Sequence, residues 1–574
     1  MASLTKKIIR GHAYYYAREC KRVDGKPKIV WQKYLGRLDD IVAAVEAKRS
    51  GLRPAIPQPE RESLITDLGA AAALYDLSRR LDVAGVIDRH VPKRGRGTSV
   101  GTYLLAATLD RCIAPKSKAQ IGAWLATTVL RRLLDVEPAR LTSQRFWDHM
   151  DRVSPEAITA IEAELAQRLV TDFQVDLSRV LFDATNFFTF IDTFNERSTL
   201  AQRGHSKEGR ASLRLVGLAL LVSADGHLPV FHQTYAGNRA DAPTFASLSG
   251  LLAARLGQIA SGVENITLVF DKGNNSEDNL AAVDQSPLHF VGSLVATQHA
   301  ELLEIGRAAF ASLAGSGYPD VSAYRTTKEV FGKRRTVLVT YNENLFVAQL
   351  KTLNREIATR TRKLGEVRER LERRRRGEVR GGRAATLEGT RNAVKAILKG
   401  RHMKDLFDVK LELQGKLPAL EFELREQAWA DLQRTLLGKT ILFTDNDGWT
   451  DGEIVHAYRS QHHIEDAFRD MKDPNHIAMR PQFHWTDQKV RVHVFTCVLA
   501  LMLLSLQRRE LAAKGIVLSN RRMLELLGSI REIVTVFPPA DGEIEPQLRT
   551  TLSAMSVEQR ALFDALDLGR YTAA

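Results

Sequence analysis

The chain has 574 residues, 44% hydrophobic and 26% charged, which excludes a largely disordered or low-complexity protein and leads us to expect three or four structural units. Eighty-two lysines and arginines against 68 aspartates and glutamates give a net charge of +14, pointing to a polyanionic partner, nucleic acid first, with a bland basic enzyme as the other reading. Cys20, Cys112 and Cys497 stand far apart with no CxxC pair, so neither a zinc cage nor a disulfide framework is indicated and a reducing compartment is expected.

The opening MASLTKKIIRGHAYYY lacks an apolar signal core, and residues 7 to 37 read as β structure around an Asp24-Gly25 hairpin turn. A Pro-rich stretch, RPAIPQPERES (53 to 63), reads as a linker. From about 65 to 171 apolar residues recur three and four apart, the helical pattern. Two basic loops interrupt it, one with Arg94 and Arg96 and one with Lys116 and Lys118, placed either to meet phosphates or to face solvent. LTSQRFWDHMDRV (141 to 153) is either a packing helix or one that reads a groove.

Next comes a mixed sheet. RVLFDATN is an apolar strand ending at Asp183; LRLVGLALLVSADGHLPVFHQTYAGN is a strand pair around Asp225-Gly226; NITLVFDKGNNS is a strand ending at Asp271; HFVGSLVA is a further strand. Residues 301 to 440 break this order with the strands RRTVLVTYN and LFVAQL, a long charged helix and a second strand pair. Arg373 to Arg376 suit either DNA or a solvated helix laced with Glu366, Glu369 and Glu372. KTILFTDND returns to strand, and TDGEIVHAYRSQHHIEDAFRDMK forms one helix capped by Thr450 or Asp451. The apolar run 494 to 506 falls short of a membrane span and is expected to be a buried helix, with no membrane partner.

Tyr458, Glu465 and Lys472 stand at steps of seven, which on a helix places them along one edge with a drift of about 20° per step. Ile464, Ala467, Phe468 and Met471 form the buried stripe, leaving Glu465 at its margin. Singly, a strand-end Asp caps a turn and a helix Glu faces water. Together, Asp183, Asp271 and Glu465 are the oxygen set that hard divalent ions take, and two such ions about 4 Å apart serve in-line phosphoryl displacement. Lys472 and Tyr458 would grip phosphates; Arg469 is either a partner for Glu465 or another phosphate contact. His462 and His463 lack the HExxH spacing of a zinc site.

These residues resemble the insertion-sequence transposases with an Asp-Asp-Glu triad, in the branch marked by Tyr, two residues, Arg, three residues, Glu, six residues, Lys. Tyr458, Glu465 and Lys472 match; Gln461 stands where that branch has Arg, with Arg459 and Arg469 nearby. The likeness extends through VLFDATN, GHSKEGR, AGNRADAPT, VFDKGNNS and RPQFHWTDQKVRVHVF, over residues 7 to about 530. It implies an α/β, ribonuclease H-like core with the first Asp on its first strand, the second Asp after the fourth and the Glu on a later helix, holding two Mg²⁺ or Mn²⁺ ions.

It further implies a bacterial enzyme of the cytoplasm and nucleoid that binds the terminal inverted repeats of its own element, cuts them and joins them to target DNA, as a homodimer in the DNA complex. The rival readings are a two-metal nuclease that never joins ends and an inactive DNA-binding repressor. The expected division is a β-rich segment and linker (1–60), a helical DNA-end-binding region (61–175), core with both Asp (176–300), insertion (301–438), core with Glu (439–540) and a tail (541–574).

Overall fold

A computed structural model of the chain describes residues 2–9, 12–23, 26–49, 62–92, 95, 97–210, 212–239, 241–260, 262–379, 381, 384–537 and 547–573. It divides into two compact units, one of Met1–Ala72, Thr127–Val129 and Glu525–Ala574, the other of Ala73–Ala126 and Leu130–Leu524. The first unit opens with an antiparallel sheet of β1 (Ala2–Ile9), β2 (His12–Val23) and β3 (Lys26–Gly36). The Asp24-Gly25 turn lies outside the described residues, as does most of the 53–63 linker, whose last two residues open β4 (Glu62–Asp67).

The second unit begins with helices. In α1 (Val100–Ile113) the Ser99 hydroxyl caps the first turn, accepting from the Thr102 amide at 3.1 Å. The helix α2 (Ser143–Met150) buries Phe146, His149 and Met150, with Tyr103 stacked on His149 at 3.8 Å. Its apolar stripe packs against α1.

A nine-stranded mixed sheet follows, built from β5 (Arg179–Thr189), β6 (Arg214–Ser223), β7 (Pro229–Ala236), β8 (Thr267–Phe270), β9 (His289–Ser293), β10 (Ala311–Ser312), β11 (Val321–Val330), β12 (Lys333–Asn342) and β15 (Lys439–Thr444) in the order β10-β11-β12-β15-β9-β8-β5-β6-β7. β5, β8 and β9 pair in parallel, and the other neighbours are antiparallel. β6 is buried at nine consecutive positions, which explains its unbroken apolar sequence: a central strand covered on both faces has no polar side to alternate with. The β6–β7 turn needs Gly226 in the left-handed region (φ 79°), and Asp225 beside it is held by Arg509 at 2.8 Å.

The expected insertion, 301–438, divides. Its strands β10 to β12 belong to the main sheet. What stands apart runs from α3 (Glu343–Arg375) to the hairpin of β13 (Phe407–Gln414) and β14 (Leu417–Leu424), around a core that includes Leu364, Leu371, Met403 and Phe407. LFVAQL, expected as a strand, is the first part of α3. Asn342 decides this by capping Leu345 at 2.8 Å, and the short apolar run then continues with helical period.

The segment expected as one helix is two, α4 (Asp451–Arg459) and α5 (His462–Lys472). Thr450 opens α4 with a full capping box to Glu453. The break falls at Ser460, whose hydroxyl bonds the Ala457 carbonyl at 2.5 Å in competition with the backbone ladder. The apolar run near 500 lies in α6 (Asp487–Ala513), longer than the run itself and, by length and composition, apolar enough to cross a membrane. Within this unit 94% of its most apolar window is buried, which makes it the core helix of the fold. The chain then returns to the first unit, where β16 (Arg531–Phe537) lies between β4 and β17 (Gln547–Leu552).

Candidate active site

β5 and β8 run in parallel with Phe182 opposite Phe270, so Asp183 and Asp271, each the next residue, stand side by side on neighbouring strands. The two differ in setting. Asp183 is not at a strand end as expected: β5 continues six residues past it, paired residue for residue with β6, because ATNFFT keeps supplying side chains for the buried sheet. Asp271 does end its strand and leads into a short 3₁₀ turn. Both are half-buried, and the Asp183 carboxylate accepts the Ala184 amide at 2.7 Å.

The third element reaches this strand pair through hydroxyls. Tyr458, on α4, donates to the Ser293 hydroxyl at 3.0 Å, and Ser293, at the end of β9, donates to Asp271 at 3.5 Å. Burial raises the Tyr458 phenol above its ordinary pKa; the bond to Ser293 opposes this, and the charges of Asp271 and Glu465 add to it. Both carboxylates therefore stand close enough to Tyr458 to be felt. Glu465 itself is exposed, at the edge of the α5 stripe of Ile464, Ala467, Phe468 and Met471.

Lys472, two turns further along α5, donates to the Thr185 hydroxyl at 2.7 Å. Thr185 is two residues beyond Asp183, so it shares that residue's face of β5. Lys472 also pairs with Glu208 at 3.5 Å, and Arg480 binds the same carboxylate. Burial pulls the Lys472 ammonium below its ordinary value while Glu208 pulls it up. From the same loop, Lys207 donates to the Ala184 carbonyl at 2.6 Å. Ser293, Thr185, Lys207 and Glu208 were not singled out from sequence; the signals were the D-A-T triplet and the SKEG of GHSKEGR.

The remaining candidates separate. Arg469 pairs with Asp466, not Glu465. Arg459 lies over the Tyr318 ring at 4.9 Å, and Lys116 is exposed. Lys118 is only 8% exposed, its ammonium buried with no hydrogen-bond partner, and burial lowers its pKa to about 8. Its role as a surface phosphate contact is withdrawn, because the loop that carries it folds its side chain inward over Phe146. Arg94 and Arg96 lie outside the described residues.

Residues 176–503 match the model of the family described as the transposase DDE domain, more than half of the chain. The chain belongs to the transposase DDE domain family. No curated protein matches the sequence. Among solved structures, the cryo-EM structure of the piggyBac transposase synaptic complex with hairpin DNA is 8% identical, over 79% of this chain and 70% of that one, with a TM-score of 0.30, a likeness too weak to carry an argument. The matched span of this DDE transposase contains the strands with Asp183 and Asp271 and the helix with Glu465.

Asp183, Asp271 and Glu465 offer only carboxylate oxygens, the donors a hard divalent ion takes. Among the described residues, no three His, Cys, Asp or Glu side chains stand close enough together to hold a metal ion. The donors fit in kind, then, while the cluster is not preformed: two carboxylates are fixed by the sheet and the third sits on a separate helix.

Proposed function

We propose that this DDE transposase binds the terminal inverted repeats of its own insertion sequence, cuts DNA there and transfers the freed ends to a target, with Asp183, Asp271 and Glu465 as its catalytic carboxylates. The observation that carries the reading is the parallel register that sets Asp183 and Asp271 side by side, with Tyr458 tying the Glu465 region to the same strand ends. The order β5, β6, β7, β8 supports a ribonuclease H-like core, first Asp on the first strand and second Asp after the fourth. Tyr458, Glu465 and Lys472 support membership of the signature branch named above.

Two Mg²⁺ or Mn²⁺ ions, when bound, supply activation of the attacking oxygen and stabilisation of the leaving one. The chain's own residues do the rest. Lys472, steadied by Thr185 and Glu208, places a positive charge on the Asp183 face for a strand phosphate. The Tyr458–Ser293 pair orients the Asp271 carboxylate, and Glu465 on α5 would supply the third carboxylate to the ions. The helical region up to residue 175, with exposed Lys116, is the proposed end-recognition part, and a homodimer in the bacterial nucleoid the working form.

Replacing Asp183, Asp271 or Glu465 by Ala is expected to abolish metal-dependent DNA breaks while leaving DNA binding within about twofold. A Glu465→Ala protein that still cuts would sink the assignment.

A further inference from the structure

A cationic cavity opens at the break between α4 and α5, where Ser460 lies in its wall. It has a volume of about 440 Å³ and is lined by Arg179, Tyr318, His456, Arg459 and His462 among others, with no carboxylate in its wall. The Tyr318 hydroxyl and His456 Nδ1 are 2.8 Å apart, and Arg459 lies over the Tyr318 ring at 4.9 Å, so this wall is built. His462 gives its Nδ1 hydrogen to the Arg459 carbonyl at 2.7 Å, which turns Nε2 outward. Behind it the His463 ring lies tilted against both His462 and His227, with ring centres 3.8 Å apart in each pair, and Arg508 backs His227.

Charge is what sets this cavity apart. Neither Arg179 nor Arg459 has a carboxylate partner among the described residues, whereas Arg469 of α5 and Arg480 beyond it are both paired. Asp466, the carboxylate whose charge reaches His463, is held by Arg469. Burial lowers His456 below its ordinary value and the charge of Arg179 lowers it further; His463 is lowered to about 4, again by burial first and then by neighbouring cations. The walls repel one another's positive charge, and an anion would relieve that.

We infer that this cavity seats a phosphate of the DNA backbone, held by Arg179 and Arg459, at a point distinct from the phosphate being cut. Guanidinium groups suit phosphate oxygens, and a wall without acids leaves them free to bind. Arg179 is four residues before Asp183 on β5, about 13 Å along the strand. The seat therefore takes a phosphate other than the one at the triad. The inference rests on the reading of the chain as a DNA-acting enzyme and adds to it a positioning contact outside the triad and Lys472.

The test uses the full chain in EDTA with labelled duplex DNA, comparing wild type, Asp183→Ala, Arg179→Ala and Arg459→Ala across a range of salt. Each Arg variant is expected to bind about five- to tenfold more weakly at low salt, with the slope of log affinity against log salt reduced by about one, while Asp183→Ala binds as wild type. When neutral methylphosphonates are placed one at a time along the duplex, one of them, away from the cut, should weaken wild type and leave the variants unmoved. Arg459→Gln, at an exposed side chain resting on a ring, carries the test if Arg179→Ala fails to fold.

Unchanged affinity and slope in folded variants would overturn the seat and leave the transposase reading standing. Wild type that binds no DNA at all would overturn both. If inorganic phosphate raises the melting temperature of wild type alone and DNA binding is equal in all, the ligand is a small phosphate and the DNA assignment fails.

Discussion

Asp183 and Thr185 sit on one face of β5, and Thr185 is tied to Lys472 of α5 at 2.7 Å while Asp271 on the neighbouring strand is reached by Tyr458 of α4 through Ser293. The Tyr458–Ser293–Asp271 chain makes a direct prediction, because each hydroxyl has the other as its partner. Ser293→Ala leaves the Tyr458 hydroxyl without its acceptor, at a cost of about 1–3 kcal/mol, and Tyr458→Phe leaves Ser293 held by Asp271 alone, so each should lower cleavage several-fold. In a double-mutant cycle the second change should add little, with a coupling of about 1 kcal/mol. Fully additive rate losses would show that the hydroxyls do not act together. Thr185→Val should act through Lys472 alone, weakening DNA binding two- to threefold in the wild type and not at all in a Lys472→Ala background.

At the scale of elements, the sheet's far edge rests on one buried ion cluster. Glu162, on the helix Pro155–Thr171, meets His232 of β7 at 2.6 Å and Arg255 at 3.2 Å, and all three side chains are almost wholly buried. Burial alone would raise the Glu162 pKa, yet the charges of His232 and Arg255 outweigh it and hold the carboxyl below its ordinary value of 4.5. A carboxylate depressed on folding contributes stability above its unfolded value and loses it as the pH falls through the folded one. Glu162→Gln should therefore cost about 3 kcal/mol in chemical unfolding at pH 7 by leaving Arg255 uncompensated, with the gap to wild type closing below about pH 4.5. A gap that widened on acidification would contradict the pairing.

The elements also show what a sequence can carry. Apolar runs flanked by turn residues located β5, β6, β8 and β9, since their burial writes itself directly into composition. The parallel register of Asp183 with Asp271 has no local trace, because the two pairing strands are separated by a hairpin and a helix. LFVAQL reads as a strand from its short apolar run, and the Asn342 cap that makes it helical lies outside that run. The seven-residue steps suggested one continuous helix, whereas Ser460 breaks it and the side chains still meet through tertiary packing. Lys118 looked like a surface cation for the same reason: loop composition reports charge, not which way the loop folds.

For the whole molecule, the net charge of +14 and the unpaired arginines make DNA binding strongly electrostatic. Binding of any duplex by Asp183→Ala should weaken about a thousandfold or more between 50 and 200 mM salt if six or more phosphates are neutralised. A flat salt response would mean that the positive charge serves something else. The measurement that bears most directly on the central claim is incubation of the purified chain with labelled DNA carrying the inverted repeats that flank its own reading frame, in Mg²⁺, Mn²⁺ or EDTA, beside Asp183→Ala and Glu465→Ala. The account predicts metal-dependent breaks at the repeat ends and products joined to target DNA, both lost in either variant. Specific binding without breaks in both metals would contradict it, leaving a DNA-binding member of a transposase family that has no catalysis.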